Sequence, residues 1–248
     1  MFNIIKAPKD LGAFFYKLKQ ELTMKTNETY TLLEEKMKTY SELAAVDVVP
    51  NNEPLVSIGN SEILRARPID NNMEAYTANA IFVRSSVQKM LGIAAIMASD
   101  YSPDLQLEVV YGYRPLTIQK DLFEYYRNKL TDKYSGNELL EAVHRLIAVP
   151  EVSGHPTGGA VDVQLCKNGV PIEFGTNIWE FTPDSYTFSP FINRTSWSNR
   201  QLLRRIMLNV GFAPFDGEWW HFSYGDKEWA SYYNKQYAMY QQTEFTNL

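Results

Sequence analysis

A single cysteine, Cys166, stands among 248 residues. No internal disulfide can form, so nothing in the chain calls for an oxidising compartment. A buried or half-buried thiol is the reading its surroundings favour. No apolar run approaches the ~20 residues that cross a bilayer, so no membrane span is expected. Lys and Arg number 24 against 29 Asp and Glu. The clustered basic residues of a large nucleic-acid footprint are missing, and no nucleic-acid partner is expected. The slight acidic excess is too small to indicate disorder. The opening stretch MFNIIKAPKDLGAFFYKLKQ lacks the basic start, uninterrupted apolar segment and small-residue cleavage site of a secretory signal. A soluble, cytoplasmic protein is expected, with a periplasmic location as the alternative. Internal repeats and low-complexity linkers are absent.

What is present resembles an ordinary globular chain: 45% hydrophobic and 21% charged residues, with enough length for a sizeable core. Residues 1–45 are rich in Lys, Glu and Leu at helical spacing and read as a helical N-terminal extension. Residues 46–248 read as one α+β domain, its core at roughly 46–235. Loops and short strands are expected over 46–70. Ala80, Val83, Val87, Met90, Leu91, Ala94 and Met97 predict a helix over 76–99. A strand at 105–111 is followed by helices at 116–130 and 136–148, a Gly-rich turn and a strand at 160–165. A loop over 168–195 precedes a helix at 197–209, with Gly211 just beyond it. EWWHF (218–222) reads as a strand.

Histidine is scarce too, with three in the chain, so position is informative. His144 lies within a helical pattern and is assigned a structural or surface role. His155 lies in SGHPTGGAVD (153–162) and His221 in GEWWHF (217–222). With Asp162 they match the three protein ligands that a catalytic zinc takes from His and carboxylates. Asp162 sits between Val161 and Val163, and a carboxylate in such a setting needs a partner. Glu218 stands three residues before His221, which on a straight strand would put the two on opposite faces. They converge only if Glu218 lies in a bend, which Gly217 permits. An unligated carboxylate there could act as general base. Spacing alone leaves the alternative open, with His155 in a surface turn and His221 in an aromatic core.

Taken together, YGYRP (111–115), SGHPTGGAVDV (153–163), NRQLLRRIMLNVGF (199–212) and GEWWHF closely resemble the D-alanyl-D-alanine dipeptidases, zinc peptidases known from vancomycin resistance and D-dipeptide scavenging. The resemblance covers roughly residues 46–225. It implies an α+β fold whose central antiparallel sheet, flanked by helices, carries one zinc ion. It assigns His155, Asp162 and His221 as ligands and Glu218 as the base of a zinc-dependent hydrolysis. Arg114 would steady the carbonyl oxygen as charge develops, and Ser153 matches a serine near the substrate. The family often carries a Gly-Thr-x-Phe-Asp-like segment whose Asp holds the substrate ammonium. Here the stretch is FGTNIWEF (174–181), and the carboxylate, Glu180, is displaced by one residue. The expected substrate is D-Ala-D-Ala or a related D-dipeptide. The alternatives are a D,D-carboxypeptidase or endopeptidase acting on peptidoglycan stems, and a non-catalytic zinc- or peptide-binding protein.

Overall fold

Along Ala160–Lys167 apolar Val161, Val163 and Leu165 alternate with Asp162, Gln164 and Cys166, and these residues form β5. A strand sends successive side chains to opposite faces. In the computed structural model, which describes residues 23, 24 and 26–244, the three odd-numbered side chains enter the main apolar cluster. On the opposite face Gln164 Nε2 donates to Glu108 Oε2 at 2.7 Å, and Asp162 faces the site described below.

β5 is flanked by two antiparallel neighbours, β4 (Leu105–Tyr111) and β8 (His221–Ser223). β2 (Leu64–Ala66) lies parallel to β4, β7 (Ala213–Pro214) pairs with β8, and β6 (Val170–Pro171) adds to β5. The central sheet is thus antiparallel except at β2. A separate ladder joins β1 (Leu55–Ser57) to β3 (Phe82–Arg84). Two long helices share the apolar cluster with the sheet. One is α4 (Ser85–Tyr101), through Val87, Leu91, Ala94, Ala95 and Ala98. The other is α7 (Arg194–Asn209), through Leu202, Leu203, Ile206 and Met207. Burying one Leu or Val side chain stabilises by about 1.5–3 kcal/mol, so this layer dominates the stability of the fold.

Residues 1–37 and 38–248 group as separate units. In the first, residues 26–34 are helical (α1); the part of the expected extension up to residue 22 lies outside the described residues. In the second, α2 (Tyr40–Ala44), α5 (Leu116–Leu130) and α6 (Gly136–His144) contribute to a smaller apolar cluster around Leu43, Phe123, Leu139 and Val143. The remaining helices are short, α3 (Glu74–Thr77) and α8 (Lys227–Tyr232). No described helix is long and apolar enough to cross a membrane.

Two expected elements differ. The helix predicted over 76–99 begins only at Ser85. Ala78 and Asn79 adopt left-handed φ values of 48° and 59°, which a continuing helix cannot contain, and Val83 is buried from a strand instead. The strand predicted over 218–222 begins at His221, because two successive turns precede it. Glu218 N–H donates to Phe215 O at 3.0 Å, and His221 N–H donates to Glu218 O at 3.2 Å.

The polar face of the sheet holds a buried carboxylate met by two partly exposed arginines. Glu108, fully buried, accepts from Arg67 Nε at 2.9 Å and Arg65 Nε at 3.2 Å as well as from Gln164. Burial opposes its charge, yet these donors prevail and hold the carboxyl below its ordinary range. Cys166 lies opposite Gln106 on β4. Burial first, then the charge of Glu108, pushes its thiol up to about 12. Since the thiolate is the reactive form, Cys166 should resist a thiol reagent such as Ellman's at pH 8 in the folded protein and react once after denaturation. Rapid stoichiometric labelling of the native protein would contradict this placement.

Candidate metal centre

Three neighbouring strands bring Tyr111, Asp162 and His221 into one row. Asp162 is directly opposite His221 on β8 and opposite Tyr111 on β4. The second pairing depends on a register shift between Val109 and Tyr111, an irregularity of the kind that re-aims side chains beside active sites. Gly112 follows. A Cβ there would lie 2.5 Å from Phe82 O, so glycine alone lets β4 continue past β3, where Tyr113 N–H donates to Phe82 O at 2.7 Å. The freed Gly112 carbonyl accepts from His155 Nδ1 at 2.8 Å.

His155 sits on a 3₁₀ turn, His155–Thr157, that ends at Gly158 with φ +74°. Most L-residues avoid that conformation. The turn folds the chain back so that His155 and Asp162, seven positions apart, meet. His155 Nε2 lies 3.5 Å from Asp162 Oδ1, and His221 Nδ1 lies 3.2 Å from the same oxygen. One donor atom from each of the three side chains falls within 4.8 Å of the others. A tetrahedron with metal–ligand bonds of about 2.0–2.2 Å has edges of roughly 3.3–3.6 Å. The two contacts to Asp162 are close to that length, and the two-imidazole, one-carboxylate donor set suits zinc. These residues therefore fit a metal.

Electrostatics agree with that fit. Burial, above all, lowers the pKa of His155 to about 4, so its imidazole is neutral, as a ligand must be. Burial opposes the charge of Asp162, but the two imidazoles outweigh it and hold the carboxyl well below its ordinary range. His221 is also opposed by burial, yet the carboxylates of Asp162 and Glu228 raise its pKa well above the ordinary value. Burial, then the charges of Asp162 and Glu228, pushes Glu218 up to about 7.

A cavity of about 80 Å³ opens over this group. Arg114, Ser153, His155, Asp162, Trp179, Phe181, Glu218 and His221 are among the residues lining it. It adjoins a second of about 140 Å³, with which it shares Arg114, Asp162, Trp179 and Phe181. A larger concavity, about 810 Å³, lies between residues 50–55, 74–78 and 239–244. It contains none of His155, Asp162 and His221, which line the smaller cavity instead.

The structure brings six of the seven sequence-predicted residues together. The backbone N–H of Arg114 donates to His155 O at 3.2 Å, and its guanidinium lies over the Tyr111 ring at 5.3 Å. Its Nε is buried without a hydrogen-bond partner. Ser153 is buried at the cavity wall.

Glu180 is the exception. It is exposed, lines neither cavity, and accepts from Asn177 N–H at 3.0 Å. Its neighbour Trp179 takes the inward position, with φ +64° and Nε1 donating to Asp162 Oδ2 at 2.9 Å. A hydrogen bond to a charged group contributes about 1.5–3 kcal/mol, comparable to the ~1–3 kcal/mol cost of a strained backbone residue. Buried Arg200 of α7 secures the segment by donating to the carbonyls of Phe174 (2.7 Å), Asp184 (2.7 Å) and Tyr186 (2.9 Å).

Sequence reasoning missed Trp179, Phe181, Phe215 and Glu228, and it placed His144 outside the site although His144 lines the cavity. The usable signal was the displacement in FGTNIWEF, which puts Trp179 where a carboxylate was sought.

Residues 64–243 match the peptidase M15 family model, described as D-Ala-D-Ala dipeptidase. A D-alanyl-D-alanine dipeptidase of Synechocystis is 27% identical over 231 residues, 81% of this chain and 94% of that protein. One from Enterococcus faecalis is 27% identical over 67% of this chain and 83% of its own length. Among solved structures, a vancomycin-resistance D,D-pentapeptidase in complex with Zn(II) is similar at 16% identity and TM-score 0.43, covering 79% of this chain and 96% of that one. An LD-carboxypeptidase is similar at 21% identity and TM-score 0.42, covering 73% and 72%.

The geometry makes a direct demand on metal content. His155→Ala and His221→Ala should each purify with most of the bound metal lost when measured by elemental analysis. Full occupancy in both variants would remove these residues from the centre.

Proposed function

The chain belongs to the D-Ala-D-Ala dipeptidase family of M15 metallopeptidases, and from this premise we propose that it hydrolyses D-Ala-D-Ala or a related D-dipeptide with one zinc ion held by His155, Asp162 and His221. The observation that carries the proposal is the convergence of these three side chains beside Glu218 and Arg114 in one cavity. Zinc binding alone would need neither of the last two.

Held by His155, Asp162 and His221, a zinc ion would supply Lewis acidity to the site, polarising the scissile carbonyl and making the attacking water more acidic. The chain's own residues supply the rest. Glu218 sits in the turn before β8, off the metal-binding trio but in the same cavity. Its carboxylate takes a proton from the attacking water and delivers it to the departing amine nitrogen. A carboxyl whose affinity for protons is raised by burial is suited to both steps. Arg114 presents a fixed guanidinium over Tyr111 to the carbonyl oxygen where negative charge develops. Trp179, Phe181 and Phe215 wall the cavity, keeping water from the flanks and strengthening each of these interactions.

Glu218→Gln preserves size and hydrogen bonding but cannot accept the proton. The variant should retain zinc and lose at least the ~10²–10⁴-fold typical of general-base loss. A near-native rate in the zinc-loaded variant would place the base elsewhere.

A second reading, a D,D-carboxypeptidase acting on peptidoglycan stems, is favoured by one observation: Glu180 faces away from the cavity. It therefore cannot anchor a free substrate ammonium from this position. Comparing cleavage of free and N-acetylated D-Ala-D-Ala separates the two. The dipeptidase reading expects the free dipeptide to be strongly preferred, with that preference unchanged in Glu180→Ala. Equal cleavage of both substrates would establish the carboxypeptidase reading instead. A preference that collapses in Glu180→Ala would show that the side chain turns inward on binding.

A further inference from the structure

His221 has a carboxylate on each side of its ring. Nδ1 faces Asp162 Oδ1 at 3.2 Å, while Nε2 faces Glu228 Oε2 at 3.4 Å. The two ring nitrogens point in divergent directions, so only one can face a given ion. His155 Nε2 approaches the same Asp162 oxygen, so an ion shared by the three residues would lie on the Nδ1 side of His221. Glu228 then lies behind the ring.

The surroundings of Glu228 suit that place. It occupies the first turn of α8, whose N-terminus is capped by Asp226 Oδ1 accepting from Trp229 N–H at 3.0 Å. Ser223 Oγ, two residues beyond His221 on β8, donates to Glu228 Oε2 at 3.2 Å. The carboxylate is thus held from the helix and from the strand that carries the ligand. Its side chain is 13% exposed, so its interaction with the imidazole is little screened.

The two imidazoles are supported differently. His155 Nδ1–H donates to a neutral backbone carbonyl, that of Gly112. His221 has an anion behind it. A carboxylate there fixes the proton on Nε2, leaves the Nδ1 lone pair for the metal, and makes that nitrogen a stronger donor.

We propose that Glu228 is a positioning residue of the metal centre, holding His221 as an Nδ1 ligand in a carboxylate–imidazole–metal relay buttressed by Ser223. This rests on the assignment of His155, Asp162 and His221 as the zinc ligands. Glu228 itself does not touch the metal.

The test is zinc affinity of the full chain, measured by competition with a chromophoric chelator for wild type, Glu228→Gln and Glu228→Ala. Loss of an outer partner of a metal-bound histidine costs about 10–100-fold in affinity. Glu228→Ala should weaken zinc binding by that factor, and Glu228→Gln, whose amide oxygen still accepts from Nε2–H, by less. Circular dichroism confirms folding, and the conservative Gln variant covers a failure of Ala to fold. Imidazole ¹⁵N resonances give an independent readout, tractable with three histidines in the chain. Zinc-loaded wild type should show His221 protonated on Nε2.

Zinc affinity unchanged in both folded variants, or an Nδ1-protonated His221, would overturn the proposal. A loss as large as that of His221→Ala would also overturn it, making Glu228 a direct ligand. If wild type binds no zinc, the ligand assignment fails first, and that outcome is distinct from the others.

Discussion

The structure depends on the compensation of one buried charge, the carboxylate of Asp162. It is 3% exposed and projects from the middle of the central sheet between two core valines. Removing an ion from water costs several kcal/mol even after relaxation, and only well-placed partners recover it. Asp162 has three: His155 and His221 at Oδ1 and Trp179 at Oδ2. These come from a turn, a strand and a loop remote from one another in sequence. The same cluster of donors is what a divalent cation would need, and under the proposed function a cation bound there would complete the compensation.

Each partner is delivered by a separate local device. Antiparallel pairing of β5 and β8 sets His221 opposite Asp162. The left-handed turn at Gly158 returns His155 to the start of β5. Arg200, buried on α7, gathers three carbonyls of the 174–186 segment and so sets Trp179. The apolar layer between the sheet and helices α4 and α7 makes these devices rigid. The register shift after Val109 aligns Tyr111, whose ring contacts both His155 and Trp179 edge-on, at 5.4 and 5.3 Å between centroids, and lies beneath Arg114.

Much of this was legible in the sequence because its signals are local. Alternation in AVDVQL, the glycines around His155 and the rarity of histidine point to β5 and to the cluster of His155, Asp162 and His221 that the fold brings together. The bend needed to bring Glu218 beside His221 follows from strand periodicity and is present as two turns. What was not legible depends on distant contacts or one-residue shifts. The left-handed pair Ala78–Asn79 divides an apparently continuous helical pattern. In FGTNIWEF, composition points to the carboxylate of Glu180, but the backbone at Trp179 turns the indole inward and leaves Glu180 outside. Glu228 reaches His221 only because the chain reverses through Tyr224–Asp226 into α8, and no motif spacing records that approach.

The central claim is that two imidazoles and one carboxylate, from His155, His221 and Asp162, form a zinc centre. Zinc K-edge X-ray absorption of the purified, zinc-loaded protein addresses it most directly. The account predicts a shell of nitrogen and oxygen at about 2.0–2.2 Å, outer scattering from two imidazoles and no sulfur. A sulfur shell near 2.3 Å, or no imidazole scattering, would contradict it.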